Sequence, residues 1–89
     1  MTAIEFEALA IKEMRACKAY ARVNDLKNAC VHFGKAQTYE ELLMEIHGVI
    51  LLSKGGYYSE MYDYFISYIE NINERTVKNE EFLEQPTAG

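Results

Sequence analysis

The residues able to react or to hold a metal are few: Cys17, Cys30, His32, His47 and the carboxylates Glu13 and Glu45. Two cysteines and two histidines would satisfy a tetrahedral zinc ion arithmetically. Their order, 17, 30, 32, 47, follows none of the ligand spacings by which short loops wrap zinc. No C-x-x-C occurs, so no dithiol redox motif is written here. Free cysteine usually behaves as a small buried hydrophobe. Cys17 and Cys30 stand nearly equidistant from Asn24–Asp25 and are expected as core thiols facing each other across a hairpin; pairing them would take oxidising surroundings. Glu13 and Glu45 interrupt otherwise apolar stripes. Two carboxylates can share acid and base roles, but no nucleophile, metal triad or glycine-rich phosphate loop accompanies them. A boundary position, or contact with Lys or Arg of a neighbouring helix, is therefore expected. The chain reads as not an enzyme, with no catalytic residue, no cofactor and no metal.

The elements that position these residues read as helices. Phe6, Leu9, Ala10, Met14, Cys17, Tyr20 and Ala21 recur at helical spacing over Thr2 to Val23. Thr2 with Glu5 three positions on forms a capping box, and Asn24–Asp25 supplies a turn and the next cap. A second helix is expected from Leu26 to about Gln37, with Leu26, Ala29, Cys30, Phe33 and Ala36 inward and Gly34 on the other side. Thr38, with Glu41 at the third position, reads as a fresh N-cap. It would start a central helix at Tyr39 that contains LLMEIHGVILL (Leu42 to Leu52), apolar nearly all round, with His47 at its boundary, and that stops at Ser53-Lys54-Gly55-Gly56. The fourth helix begins near Tyr57 or Tyr58 and carries the stripe Tyr58, Met61, Tyr62, Phe65, Tyr68, Ile69, Ile72. After Val77 the pattern fades. The expectation is an all-α single domain over residues 1–77, four antiparallel helices in two hairpins, with an acidic, frayed C-terminal tail over 78–89.

Eighty-nine residues at 49% hydrophobic content suit one modest folded core. No apolar run reaches the roughly 18 residues of a membrane span. The acidic N-terminus lacks the basic region of a signal peptide, so a cytoplasmic location is expected. Charge is uneven. Residues 1–38 carry six basic and four acidic side chains, net +2; residues 39–89 carry three and ten, net −7. Nucleic-acid binding needs a concentrated basic surface. The only basic cluster, Lys12, Arg15, Lys18 and Arg22, reads as a solvated helix face.

A shift of 32 residues superposes the halves in character: Glu13 falls on Glu45, Met14 on Ile46, Cys17 on Val49, Phe33 on Phe65, and the break at Asn24 on Gly56. On these residues the chain resembles tetratricopeptide (TPR) hairpins. In AYARVNDLKNACVHFGKA, Ala29, Phe33 and Ala36 stand at the spacing A-x3-F-x2-A; in GYYSEMYDYFISYI, Met61, Phe65 and Tyr68 take the same places. The period is shorter than the usual 34 residues, Glu13 and Glu45 occupy positions usually large and apolar, and no proline closes the first repeat. The resemblance implies two hairpins and a peptide groove lined by Ile11, Met14, Lys18, Leu43, Ile46 and Ile50. An ordinary antiparallel helical bundle is the alternative fold.

Tyr57 and Tyr64 fall at the edge of the last stripe, where an amphipathic ring can meet a partner. Phe82 and Leu83, in the acidic EEFLE segment, could dock or fold back. The expected function is a non-catalytic protein–protein interaction module: a small adaptor, chaperone-like or regulatory protein. Its partner would be another protein or a second copy of itself, without direct nucleic-acid or membrane binding. Its partner-binding residues would be Leu43, Ile46, Ile50, Tyr57, Tyr64, Met14 and Lys18. The alternative is an acidic inhibitor or immunity-type protein that blocks a basic, nucleic-acid-binding site on its target.

Overall fold

A computed structural model describes the backbone of residues 1–84 and the side chains of residues 1–74. Three α-helices and one 3-10 turn follow in order: α1, Ala3–Arg22; α2, Leu26–His47; the 3-10 turn, Leu51–Lys54; and α3, Tyr57–Glu84. No strand occurs among the described residues, so the fold is all-α. Residues 85–89 lie outside the described residues, as do the side chains of Phe82 and Leu83.

The N-terminal signals act as the sequence implies. The Thr2 hydroxyl accepts from the Glu5 N–H at 3.2 Å, and the Glu5 carboxylate accepts from the Thr2 N–H at 3.3 Å. These hydrogen bonds hold the Glu5 carboxyl below its ordinary range. Asn24, in the left-handed region at φ 58°, reverses the chain. Asp25 then caps α2 by accepting from the Asn28 N–H at 3.2 Å and the Asn28 side-chain amide at 2.7 Å.

The expected break at Gln37–Thr38 is absent, and the four-helix arrangement gives way to three helices. Thr38 is not a cap: its hydroxyl donates to the Gly34 carbonyl at 3.0 Å, one turn back, and so is satisfied inside a continuous helix. The buried line Ala29, Ala36, Leu43 runs straight through this point at intervals of seven. The central helix ends earlier than expected. Gly48 takes a left-handed conformation (φ 68°) and closes α2 after His47, so LLMEIHGVILL is split between the last turns of α2 and a separate segment. From there Val49 and Ile50 lead into the 3-10 turn, whose Leu51 is buried. Gly55 and Gly56, both at positive φ, redirect the chain into α3. At the other end, α3 passes Val77 and stays helical to Glu84, so residues 78–84 continue the helix.

α1 and α2 pack closely along their length, and α3 joins them through larger side chains. The α1–α2 seam is built from small residues: Ala10, Cys17, Ala21, Ala29 and Ala36 are all buried. Such residues allow helix axes to approach toward the lower end of the usual 8–10 Å range. On the third side, Phe33 of α2 meets Tyr62 and Phe65 of α3 at centroid distances of 5.3 and 4.5 Å. Met14, Leu43, Leu51 and Met61 complete the centre. Because Arg15 lies over Tyr57 and Lys18 over Tyr64, α3 starts beside the middle of α1 and runs past the Val23–Asp25 turn. The longest dimension is accordingly 65 Å, against 24 and 19 Å across.

Two glycine substitutions separate helix propensity from turn geometry. A Cβ at Gly34 meets no atom within 4 Å, and the residue sits inside α2. Gly34→Ala is expected to stabilise by about 1 kcal/mol, raising Tm by about 4–8 °C. Gly48 has equal space but a left-handed backbone, so Gly48→Ala is expected to destabilise by about 1–2 kcal/mol. Thermal unfolding followed by circular dichroism tests both; equal shifts of the same sign would contradict this account.

Candidate interaction surface

Of the residues with chemical potential, Glu13 and His32 are brought together. His32 Nδ1 lies 2.6 Å from the Glu13 carboxylate across the α1–α2 seam, both side chains being partly buried. An ionised carboxylate can only accept, so Nδ1 carries the hydrogen between them. Tyr20 stacks on the imidazole at 5.4 Å with planes 10° apart. Glu13 thus meets a histidine where Lys or Arg was expected. Its place within an apolar stripe was the sequence signal for a polar partner on the facing helix. Glu45 does not join it; it is exposed on the last turn of α2.

The cysteines also separate. Cys17 is fully buried, but Cys30 is exposed, which corrects the expectation of two facing core thiols. Burial pushes the Cys17 thiol up to about 12, with Cys30 adding a smaller effect in the same direction. His47 is exposed at the end of α2, with Nε2 3.1 Å from the Met1 carbonyl oxygen and its ring 5.8 Å from Phe6. Among the described residues, no group of three or more His, Cys, Asp or Glu is arranged to hold a metal.

A second polar pair was not visible in the sequence. Tyr58 is buried, and its hydroxyl donates to Glu40 Oε1 at 2.8 Å. Desolvation raises the Tyr58 hydroxyl far above its ordinary range, and the Glu40 carboxylate adds to the shift. Among the described residues no buried side-chain nitrogen or oxygen lacks a partner.

The expected partner-binding residues divide into three groups. Met14 and Leu43 are completely buried and form the core, so neither is available to a partner in this fold. Ile11, read as a groove position, packs against the same core. Lys18, Tyr57 and Tyr64 meet within the molecule: the Lys18 ammonium lies 5.2 Å from the Tyr64 ring centre, and the Arg15 guanidinium 5.6 Å from that of Tyr57. Exposed contacts of this kind contribute about 0.5–1 kcal/mol each, and they assign part of the basic stripe of α1 to holding α3. Ile46 and Ile50 remain, 60% and 57% exposed.

Those two isoleucines belong to one end of the molecule. The Met1–His47 and Phe6–His47 contacts, with the Lys54–Glu7 ion pair at 3.1 Å, tie the start of α1 to the end of α2 and to the 3-10 turn. Met1, Ile4 and Met44 are also exposed. α3 presents Glu60, Asp63, Glu70 and Glu74, all exposed, with no lysine or arginine between Tyr57 and Glu74. Among the described residues, no helix is long and apolar enough to cross a membrane.

No protein-family model matches the chain, and no curated protein or solved structure matches it.

The thiols offer a direct check on this arrangement. Cys30 is expected to react with a thiol reagent in the native protein while Cys17 reacts only after unfolding, giving one and then two modified sites by mass spectrometry. The folded Cys17 thiol titrates near 12 and an unfolded one near 9.0. The raised folded value means that the stability it contributes is complete below pH 9 and declines as pH rises toward 12. In Cys17→Ala this component of the alkaline decline is expected to disappear from urea titrations.

Proposed function

We propose that the chain is a cytoplasmic, non-catalytic protein–protein interaction module of the adaptor, chaperone-like or regulatory kind. The observation that supports this reading is the exposure of Ile46, on the last turn of α2, and Ile50, just after it, at 60% and 57%. The residues with chemical potential support it indirectly. Glu13 and His32 occupy each other at the helix seam, and Cys17 is held neutral by burial. Ile46 and Ile50 fill no space in the chain's own core, so their substitution separates binding from folding. Ile46→Asp and Ile50→Asp are expected to retain helical circular dichroism and Tm within a few degrees while losing partners in affinity capture with mass spectrometry. Global unfolding of either variant would instead make these residues structural.

A second reading, an acidic inhibitor that blocks a basic nucleic-acid-binding site, is supported by the outer face of α3 with Glu60, Asp63, Glu70 and Glu74. The two differ in ionic response. Contacts between exposed charges are screened within about 8 Å at physiological salt, so an inhibitor acting through α3 is expected to lose its target steeply between low and high salt. Apolar docking through Ile46 and Ile50 is expected to persist. Capture at two salt concentrations distinguishes them.

A further inference from the structure

α1 and α3 carry opposite charges at the same spacing. Lys12, Arg15, Ala19 and Arg22 stand at i, i+3, i+7 and i+10 on α1. Glu60, Asp63, Ser67 and Glu70 repeat that spacing on α3, and Glu74 extends it by one turn. At about 3.6 residues per turn, each set falls in a single stripe along its helix. Every side chain in both stripes is exposed. The stripes are also nearly pure in sign. Residues 8–24 contain one acidic side chain, Glu13, and His32 engages it at the seam with α2; residues 57–74 contain no lysine or arginine. Among the described residues the ion pairs are Glu13–His32 and Lys54–Glu7, so neither stripe is neutralised there. Within the chain the cations of α1 meet rings instead of carboxylates: Arg15 lies over Tyr57 and Lys18 over Tyr64. A ring face attracts a cation without cancelling its charge.

We propose that the chain self-associates, the acidic stripe of α3 in one copy docking on the basic stripe of α1 in a second copy. In a parallel alignment Lys12 meets Glu60, Arg15 meets Asp63 and Arg22 meets Glu70. Ala19 then falls on Ser67, and two small residues let the helices approach between the charged pairs. Reversing one helix would set Arg15 on Ser67 and Asp63 on Ala19, so the parallel alignment pairs more charges. A foreign charged partner would answer one stripe and leave the other bare, whereas a second copy answers either stripe with its own spacing. Each copy that offers α1 keeps its own α3 free, so the contact is heterologous and assembly grows with concentration. Exposed ion pairs are individually weak and are screened by salt. The association is therefore of low affinity, reversible and confined to low ionic strength. The inference goes beyond the interaction-module reading and uses none of its residues, so the two can fail separately.

Light scattering on the full chain over a range of concentrations tests this. The average mass is expected to rise with concentration at low salt and to return to that of the monomer at high salt. Lys12→Glu, Arg15→Glu and Arg22→Glu together are expected to hold the chain monomeric, as are Glu60→Lys, Asp63→Lys and Glu70→Lys together. Mixing these two variants is expected to restore association, because each supplies the sign that the other lacks. Lys27→Glu with Lys35→Glu makes a similar change of charge on α2 and is expected to leave association unchanged. Circular dichroism confirms that each variant is folded; where a triple variant is not, Arg15→Glu or Asp63→Lys alone is expected to weaken association severalfold. A chain that stays monomeric at low salt, an assembly that survives high salt, a mixture that stays monomeric, or equal loss in the α2 variant would overturn the proposal. Self-association abolished by Ile46→Asp or Ile50→Asp would also overturn it, because the contact would then lie at the isoleucines. If the chain is monomeric throughout while partners still require Ile46 and Ile50, the interaction-module reading stands and self-association through the charged stripes does not.

Discussion

The close approach of α1 and α2 is the constraint on which the remaining structure depends. It exists because five positions on the seam, Ala10, Cys17, Ala21, Ala29 and Ala36, carry small side chains. Small residues bring helices together but bury little apolar surface: a methyl contributes about 0.8 kcal/mol, a fully buried Leu, Met or Phe about 1.5–3 kcal/mol. The seam therefore sets geometry, and other residues must supply most of the stability. Met14, Leu43, Leu51, Met61 and Phe65 do so, and three of these five come from the 3-10 turn and α3. The hairpin thus depends on the third layer for bulk, and the third layer depends on the hairpin for a flat surface to cover.

The same economy governs the polar groups. Two carboxylates, Glu13 and Glu40, fall within core-facing stripes, and each meets a donor from another helix: His32 for the first, Tyr58 for the second. A satisfied hydrogen bond adds only about 1 kcal/mol net, whereas an unpaired buried group costs about 1–3 kcal/mol. The value of these pairs lies in the arrangements they exclude. A sliding of α1 against α2 would part Glu13 from His32, and a rotation of α3 would bury the Tyr58 hydroxyl without an acceptor. Together the pairs fix register in a core whose aliphatic and aromatic members could pack in several ways.

Much of the architecture was legible where local chemistry acts alone. The Thr2 cap, the Asn24–Asp25 reversal and the start of α3 at Tyr57 are short-range effects, and each lies where its residues imply. The misreadings arose where a tertiary contact decides. Thr38 followed by Glu41 carries the pattern of a helix start, yet the buried line through Ala29, Ala36 and Leu43 keeps the helix intact, and the hydroxyl bonds backward. Lys54–Gly55 resembles a helix stop, but Gly48 already provides a left-handed residue six positions earlier. At the surface, Ile46 and Ile50 were separable from Met14 and Leu43 only once the core was assembled, because all four are apolar residues on helical stripes and composition does not record which side is covered.

The length of α3 beyond the hairpin has a hydrodynamic consequence. A compact chain of this size would have a radius of gyration of about 12 Å, whereas this molecule has 17.0 Å. Friction follows shape as well as mass, so the monomer diffuses and elutes as a heavier globular protein would. A single chain can thereby imitate a dimer on a calibrated column, and only a mass measured independently of shape distinguishes the two.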